Sequence, residues 1–231
     1  MLLPDNLISG HPYLTIKSEK ENWLWVVDRG TPGGYSAGNC PAPTGGLICR
    51  SQNNNPCTSD KWSNNIVQAR QINQGQDSHT TPAFWAGNTS GSLKEWVFFA
   101  AMGDYLKGYA VDPTNCGVLC AATHNMTTPM NLGYSATPAV SSGPTYTNGI
   151  VWAIKNVTTA LGLYAFDATN LQTELYDSNK CIIGAVPVDR PGNPTRFSVP
   201  TIANGYVYIG TETDFDIYGQ LPQARNCIVP Q

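Results

Sequence analysis

One short pattern recurs along this chain: an apolar strand that ends in an aspartate and then in turn residues. It is seen in NWLWVVDRGT around Asp28, YLKGYAVDPTN around Asp112 and LGLYAFDATN around Asp167, with a truncated echo, FDIYGQLP, around Tyr218. A chain that repeats one small motif folds as repeated small units, because a single copy has too little apolar surface to make a core of its own. The aspartate, standing at the same place in each full copy, is expected to cap the turn by accepting hydrogen bonds from the backbone N–H groups just beyond it.

A second element precedes the first. It is TPAFWAG followed by EWVFFAAMGD from Pro82, ATPAVSSGPTYTNGIVWAIKN from Pro138 and VPTIANGYVYIGTE from Pro200. A proline opens an inner strand, a Gly or Asn turn follows, and a strand carrying Trp or Tyr comes next. From proline to turn aspartate the interval is 30 residues (82 to 112) and 29 (138 to 167); the fourth copy is tighter, with 19 residues from Pro200 to the matching Gly219. WVFFAA, VWAI and YVYIG are nearly continuous apolar runs, as expected of strands buried on both faces. Paired strands of this kind predict an all-β fold, a β-propeller of four-stranded antiparallel blades stacked around an axis. About four blades are expected as one domain over residues 1–231, at roughly 8–30 (incomplete), 62–113, 118–178 and 195–222. Residues 31–61 have turn residues and three cysteines but no strand or helix period, so they are expected to be a Cys-rich loop insertion.

Composition agrees with a turn-rich β protein. Only 13% of residues are charged, while 22 Gly and 17 Pro punctuate the chain, and no segment has a helical stripe. The net charge of −3, with scattered Lys and Arg, excludes a basic nucleic-acid footprint. No stretch approaches the roughly 18–20 apolar residues of a membrane span, and MLLPDNLISG lacks the pattern of a secretory signal. Cys40, Cys49, Cys57, Cys116, Cys120, Cys181 and Cys227 in a lysine-poor, loop-rich chain favour disulfides, hence an exported protein, extracellular or periplasmic, whose signal is not in this sequence. Seven is odd, so at least one thiol is free or bonded outside the chain.

LGLYAFDATNLQTELYDSN with RFSVPTIANGYVYIGTETDFDIYGQLP resembles the C-terminal blades of the pyrroloquinoline-quinone-like (quinoprotein dehydrogenase-like) propeller family, and ENWLWVVDRGTPGGY resembles an earlier blade. The family's docking repeat, A-x-D-x-x-T-G followed by Trp, is matched in its first half by Ala110, Asp112, Asn115 and Gly117 and by Ala165, Asp167 and Asn170, with Tyr176 near the Trp position. The resemblance implies six to eight blades in a complete ring, so this chain is expected to be part of a larger propeller or an incomplete ring closed by other copies of itself. It also implies a quinone and calcium at the ring centre, covered by a disulfide between adjacent cysteines. No adjacent cysteines occur, and no C-x-x-C-H haem motif, so an enzyme of that type is not supported and no cofactor is expected in this chain. The nearest pair, Cys116 and Cys120, suits a small local disulfide.

Other chemistry is thin. Asp104, Asp112, Asp167, Asp214 and Asp216 invite an acid–base pair or a calcium site, yet turn capping explains the repeated ones, and TETDFD fails as a calcium loop because Ile217 stands where glycine must turn the chain. His11, His79 and His124 lack paired metal-ligand spacing, and no serine has a nucleophile-elbow context. Sequons at Asn88, Asn125 and Asn156 are glycosylation candidates, placed in turns. Trp25, Trp96 and Trp152 belong to strand packing, while Trp62 and Trp85 are candidates for stacking on a sugar. The expected function is a non-catalytic scaffold or interaction module, self-assembling through its open ring. The C-terminal part of a quinoprotein-like dehydrogenase and a carbohydrate-binding propeller are the alternatives, with quinone and calcium relevant only to the former and glycans as partners to the latter.

Overall fold

The computed structural model describes residues 1–18, 20, 23–30, 66–71, 78–89, 91–134, 136–156, 161–183, 186–193, 195 and 197–220. They form an all-β fold of several antiparallel sheets, none of them closed, with one helical turn at Pro113–Cys116 and one 3-10 turn at His124–Met126. Among the described residues no helix is long and apolar enough to cross a membrane.

The first sheet contains β1 (Leu14–Ser18), β2 (Trp23–Asp28) and β3 (Ile66–Gln71), in that order. Leu2 bridges to Thr15, and Met1 and Leu3 exchange backbone hydrogen bonds with Ile16 and Leu14, so the first residues add a vestigial inner strand. The second sheet is a four-strand meander of β4 (Ala83–Thr89), β5 (Ser92–Phe99), β6 (Tyr105–Ala110) and β7 (Thr127–Asn131). The third repeats it with β8 (Ala139–Ser141), β9 (Ile150–Lys155), β10 (Gly162–Asp167) and β11 (Asn170–Asp177). A small hairpin, β12 (Ile182–Ile183) and β13 (Val186–Pro187), leads to the fourth sheet of β14 (Thr201–Ala203), β15 (Tyr206–Gly210) and β16 (Phe215–Gly219).

Each inner strand starts on the residue after its proline: Ala83 after Pro82, Ala139 after Pro138 and Thr201 after Pro200. Proline has no N–H to give to a ladder, so the strand's first paired residue is the next one. The turn aspartates share one geometry. Asp28 Oδ1 accepts from Gly30 N at 2.8 Å, Asp112 Oδ1 from Thr114 N at 3.1 Å and Asp167 Oδ1 from Thr169 N at 2.7 Å, each two residues on. The capping role expected of the repeated aspartate is therefore present in all three full copies.

Two unit boundaries differ from expectation. β3 pairs with β2 and completes the first sheet rather than opening the second, and β7 pairs with β6 and completes the second rather than joining the third. The last strand of a unit follows its turn aspartate at a variable distance: three residues on in the third sheet (167 to 170), fifteen in the second (112 to 127) and thirty-eight in the first (28 to 66). A strand with no fixed phase is invisible to a search for a period. The expected loop 31–61 lies outside the described residues.

Strand parity assigns each side chain to one of two neighbours. On β5, Val97 and Phe99 enter a cluster with Leu14, Ile16, Leu24 and Val26 of the first sheet. Their neighbour Phe98 turns the other way, joining Val151, Ala153, Tyr164 and Phe166 of the third sheet. β9 and β10 repeat the device: Ile154 and Leu163 meet Val207 and Ile209 of the fourth sheet. The second sheet is thus covered on both faces and the third on one face and part of the other, which is why WVFFAA and VWAI are apolar without alternation. A fully buried side chain such as Phe98 or Phe166 contributes about 1.5–3 kcal/mol. The inner strands also converge: β8 contacts both β4 and β14, and the His79 ring stands edge-on to Phe197 at 6.0 Å between the approaches to the second and fourth sheets.

Candidate functional site

The fourth sheet is where the pattern of coverage changes. Val207 and Ile209 of β15 point at the third sheet and are buried, whereas Tyr206 and Tyr208 point away from it. On the same far side β16 places Phe215 and Ile217, 66% and 58% exposed, and Tyr206 is 45% exposed. YVYIG, expected to be buried on both faces like its counterparts, is therefore covered on one. The far face is an ordered aromatic surface. Tyr208 stacks with Phe215 at 5.9 Å and lies 6.3 Å from Tyr206, whose ring covers its cross-strand partner Gly219, where an added Cβ would come within 2.4 Å.

Between the third and fourth sheets the packing is incomplete. The clusters joining the first to the second sheet and the second to the third hold eleven and thirteen buried residues; the one joining the third to the fourth holds four. The remainder of that seam opens into a cleft of about 780 Å³. Its aromatic wall comes from a row across the third sheet, Ala139–Trp152–Ala165–Tyr176, in which small residues alternate with large and leave room for the rings to lie over the sheet. Trp152 and Tyr176 are 6.4 Å apart, and Tyr218 of β16 stands edge-on to Tyr176 at 6.3 Å.

The polar tips of these rings are tied down. Trp152 Nε1 donates to Ser141 Oγ at 2.9 Å, Tyr176 Oη to Asp189 Oδ2 at 3.4 Å and Tyr218 Oη to the Asp189 carbonyl at 2.8 Å. Burial first, and nearby carboxylates after it, hold the Tyr176 and Tyr218 hydroxyls far above the ordinary tyrosine range, Asp189 acting on Tyr176 and Asp216 on Tyr218. Both stay neutral and remain donors. Asp189, Asp216 and the exposed Arg190 also line the cleft, and Asp216 Oδ2 accepts from Gly192 N at 3.3 Å. Such a site can stack a ring and hydrogen-bond around its edge.

The residues singled out in the sequence fall elsewhere. Trp85, expected at the surface, is 4% exposed, wedged over Gly87 and Gly149 between the second and third sheets, so it offers no face to a sugar. Trp62 lies outside the described residues. Cys116 and Cys120 are disulfide-bonded, as their spacing suggests. Cys181 is disulfide-bonded too, while Cys40, Cys49, Cys57 and Cys227 lie outside the described residues. Asn88 sits near the end of β4 rather than in a turn, Asn125 in the 3-10 turn and Asn156 just after β9; the first two are exposed and Asn156 is half-buried. Asp104 pairs with Lys107 at 2.6 Å and His11 with the buried Asp28 at 3.0 Å. Among the described residues no group of three or more His, Cys, Asp or Glu could hold a metal.

Asp189, Arg190 and Tyr218 were not legible as a site, because the linker that carries the first two has no motif and its position is set by the small hairpin. No protein-family model matches the chain, and neither the curated proteins nor the solved structures compared with it include a match.

Proposed function

We propose that this chain is a non-catalytic, exported scaffold: a run of β-propeller blades of the pyrroloquinoline-quinone-like type that assembles with further copies of itself through its fourth blade. The carrying observation is the far face of β15 and β16. In the second and third sheets the corresponding face, bearing Phe98 and Ile154, packs against the next sheet. In the fourth the same face holds Tyr206, Phe215 and Ile217 in the open, with Tyr208 half-buried among them. A contiguous apolar face on a sheet favours burial against another sheet. Among the described residues the three seams between successive sheets are each made by sheets of the same kind, so the fitting occupant is a sheet from a second copy. Radial stacking is supported by the convergence of β4, β8 and β14 and by the His79–Phe197 contact. Export is supported by the Cys116–Cys120 disulfide.

Light scattering coupled to size exclusion tests the assembly. The intact protein at about 100 µM, a concentration that detects weak pairs, is expected above the 24.9 kDa monomer mass. Tyr208→Lys combined with Phe215→Lys is expected to return it to the monomer with its circular dichroism unchanged. A monomeric wild type, or an oligomer indifferent to both substitutions, sinks the reading.

A further inference from the structure

The cleft between the third and fourth sheets, whose rim reaches Tyr206 and Ile217 of the far face but not Tyr208 or Phe215, has the build of a ligand site. Its rings are held by their own polar atoms: the Trp152 indole N–H by Ser141, and the two tyrosine hydroxyls by Asp189. A ring fixed at its tip presents its face at little further cost in side-chain freedom, which is the condition for tight stacking. Around that wall stand Asp189, Asp216 and Arg190, hydrogen-bonding groups of both kinds at the edge of an apolar floor.

We infer that this cleft binds a neutral oligosaccharide, stacking a pyranose ring on the Trp152–Tyr176 wall and hydrogen-bonding its hydroxyls to Asp189, Asp216 and Arg190. The chemistry selects this class. A sugar ring has an apolar face of C–H groups and a polar rim, matching a wall of aromatic faces edged with carboxylates and a guanidinium. Two carboxylates against one guanidinium disfavour an acidic ligand, whether a uronate or a nucleotide. A wholly apolar ligand would strip water from Asp189, Asp216 and Arg190 without replacing it. The cleft volume, about 780 Å³, falls in the range of ordinary small-molecule sites and exceeds what a single sugar ring needs, so a chain of sugars is favoured over a monosaccharide.

The test uses the full chain, with tryptophan fluorescence and calorimetry against cellohexaose, laminarihexaose, maltohexaose, mannohexaose and chitohexaose, and polygalacturonate as the acidic control. Saturable binding of at least one neutral oligomer, with a fluorescence change from Trp152, is expected at ligand concentrations up to about 5 mM. Tyr176→Leu and Asp216→Ala are each expected to weaken it about fivefold or more, as loss of a stacking face or a charged hydrogen bond should. Tyr208→Lys, on the opposite face, is expected to leave it unchanged, which separates this site from the assembly surface. Should Tyr176→Leu fail to fold, Arg190→Ala replaces it, since Arg190 is exposed. No saturable binding by any neutral oligomer, binding that survives the cleft substitutions, or tighter binding of polygalacturonate overturns the inference.

Discussion

The seam between the first and second sheets depends on one buried amide. Gln68 of β3, 4% exposed, reaches across to the loop after β6. Its Nε2 donates to the carbonyls of Cys116 at 2.9 Å and Leu119 at 3.1 Å, and its Oε1 accepts from Leu119 N at 2.7 Å. Gln68→Met keeps the volume and removes all three bonds. The Leu119 carbonyl retains Arg70, and the Cys116 carbonyl, on a half-exposed residue, can take water. The Leu119 N–H has no such recourse, since that residue is fully buried. One orphaned buried donor costs about 1–3 kcal/mol, so the net loss is expected near 2 kcal/mol. For a chain of this length that corresponds to a fall in Tm of roughly 4–8 °C. The disulfide between Cys116 and Cys120 closes the same loop, and by the loop-entropy relation a five-residue ring contributes about 2 kcal/mol. The two devices hold one object, so their losses should not add: in a Cys116→Ser, Cys120→Ser background, Gln68→Met is expected to cost measurably less. Urea denaturation of the four proteins in this cycle measures the coupling. A single-mutant loss under about 0.5 kcal/mol, or strict additivity, would refute the clamp.

The second seam is open to a steric test: Gly149→Ala would bring a Cβ within 2.5 Å of the Trp85 indole and 2.8 Å of the Ala168 Cβ, so a loss of about 2 kcal/mol is expected, smaller when Trp85 is Leu. Equal losses in both backgrounds, by urea melts, would deny that Trp85 bridges the sheets. Burial raises the hydroxyls of Tyr109, Tyr164, Tyr176 and Tyr218, that of Tyr164 to about 12. Their neutral forms are favoured in the fold, so stability is expected to be flat below the unfolded tyrosine value of about 10 and to fall as pH rises through that value. Absorbance at about 295 nm should show tyrosine ionising together with unfolding rather than before it. The Asn115 side chain, and then its backbone N–H, hold the Asp112 carboxyl below its usual range. The stabilisation is present above that range and lost as pH falls through the folded value; a carboxyl titration by NMR should show the depression, and Asn115→Ala should reduce it.

What the sequence made legible was local. The proline that starts each inner strand and the aspartate that ends each third strand act on residues one or two positions away, and both were found where they were expected. What it hid was set by distant partners. IVQARQ looks like no other last strand, and its place beside β2 follows from pairing across a long connection. Trp85 and Trp152 are similar tryptophans in similar strands, yet Gly87 and Gly149 admit the first into a seam, while the second faces a seam that the fourth sheet only partly fills. The exposure of a ring is decided by the sheet opposite, and no feature of its own strand announces it.

The far face of the fourth sheet also repeats a construction used where sheets meet inside the chain. In the second sheet Phe98 on β5 lies across from Gly108 on β6, and a Cβ at that glycine would come within 3.1 Å of the Phe98 ring and 2.4 Å of Met126. The ring therefore lies flat over a backbone with no side chain beneath it, making a plate against which the third sheet packs. In the fourth sheet Tyr206 on β15 lies across from Gly219 on β16 in the same manner, facing the same direction along the stack. A glycine in a strand interior weakens the strand unless something uses the space it leaves. At Gly108 the user of that plate is the next sheet. At Gly219 the plate is built and no further sheet among the described residues packs on it, which is the expected arrangement if that sheet comes from another copy.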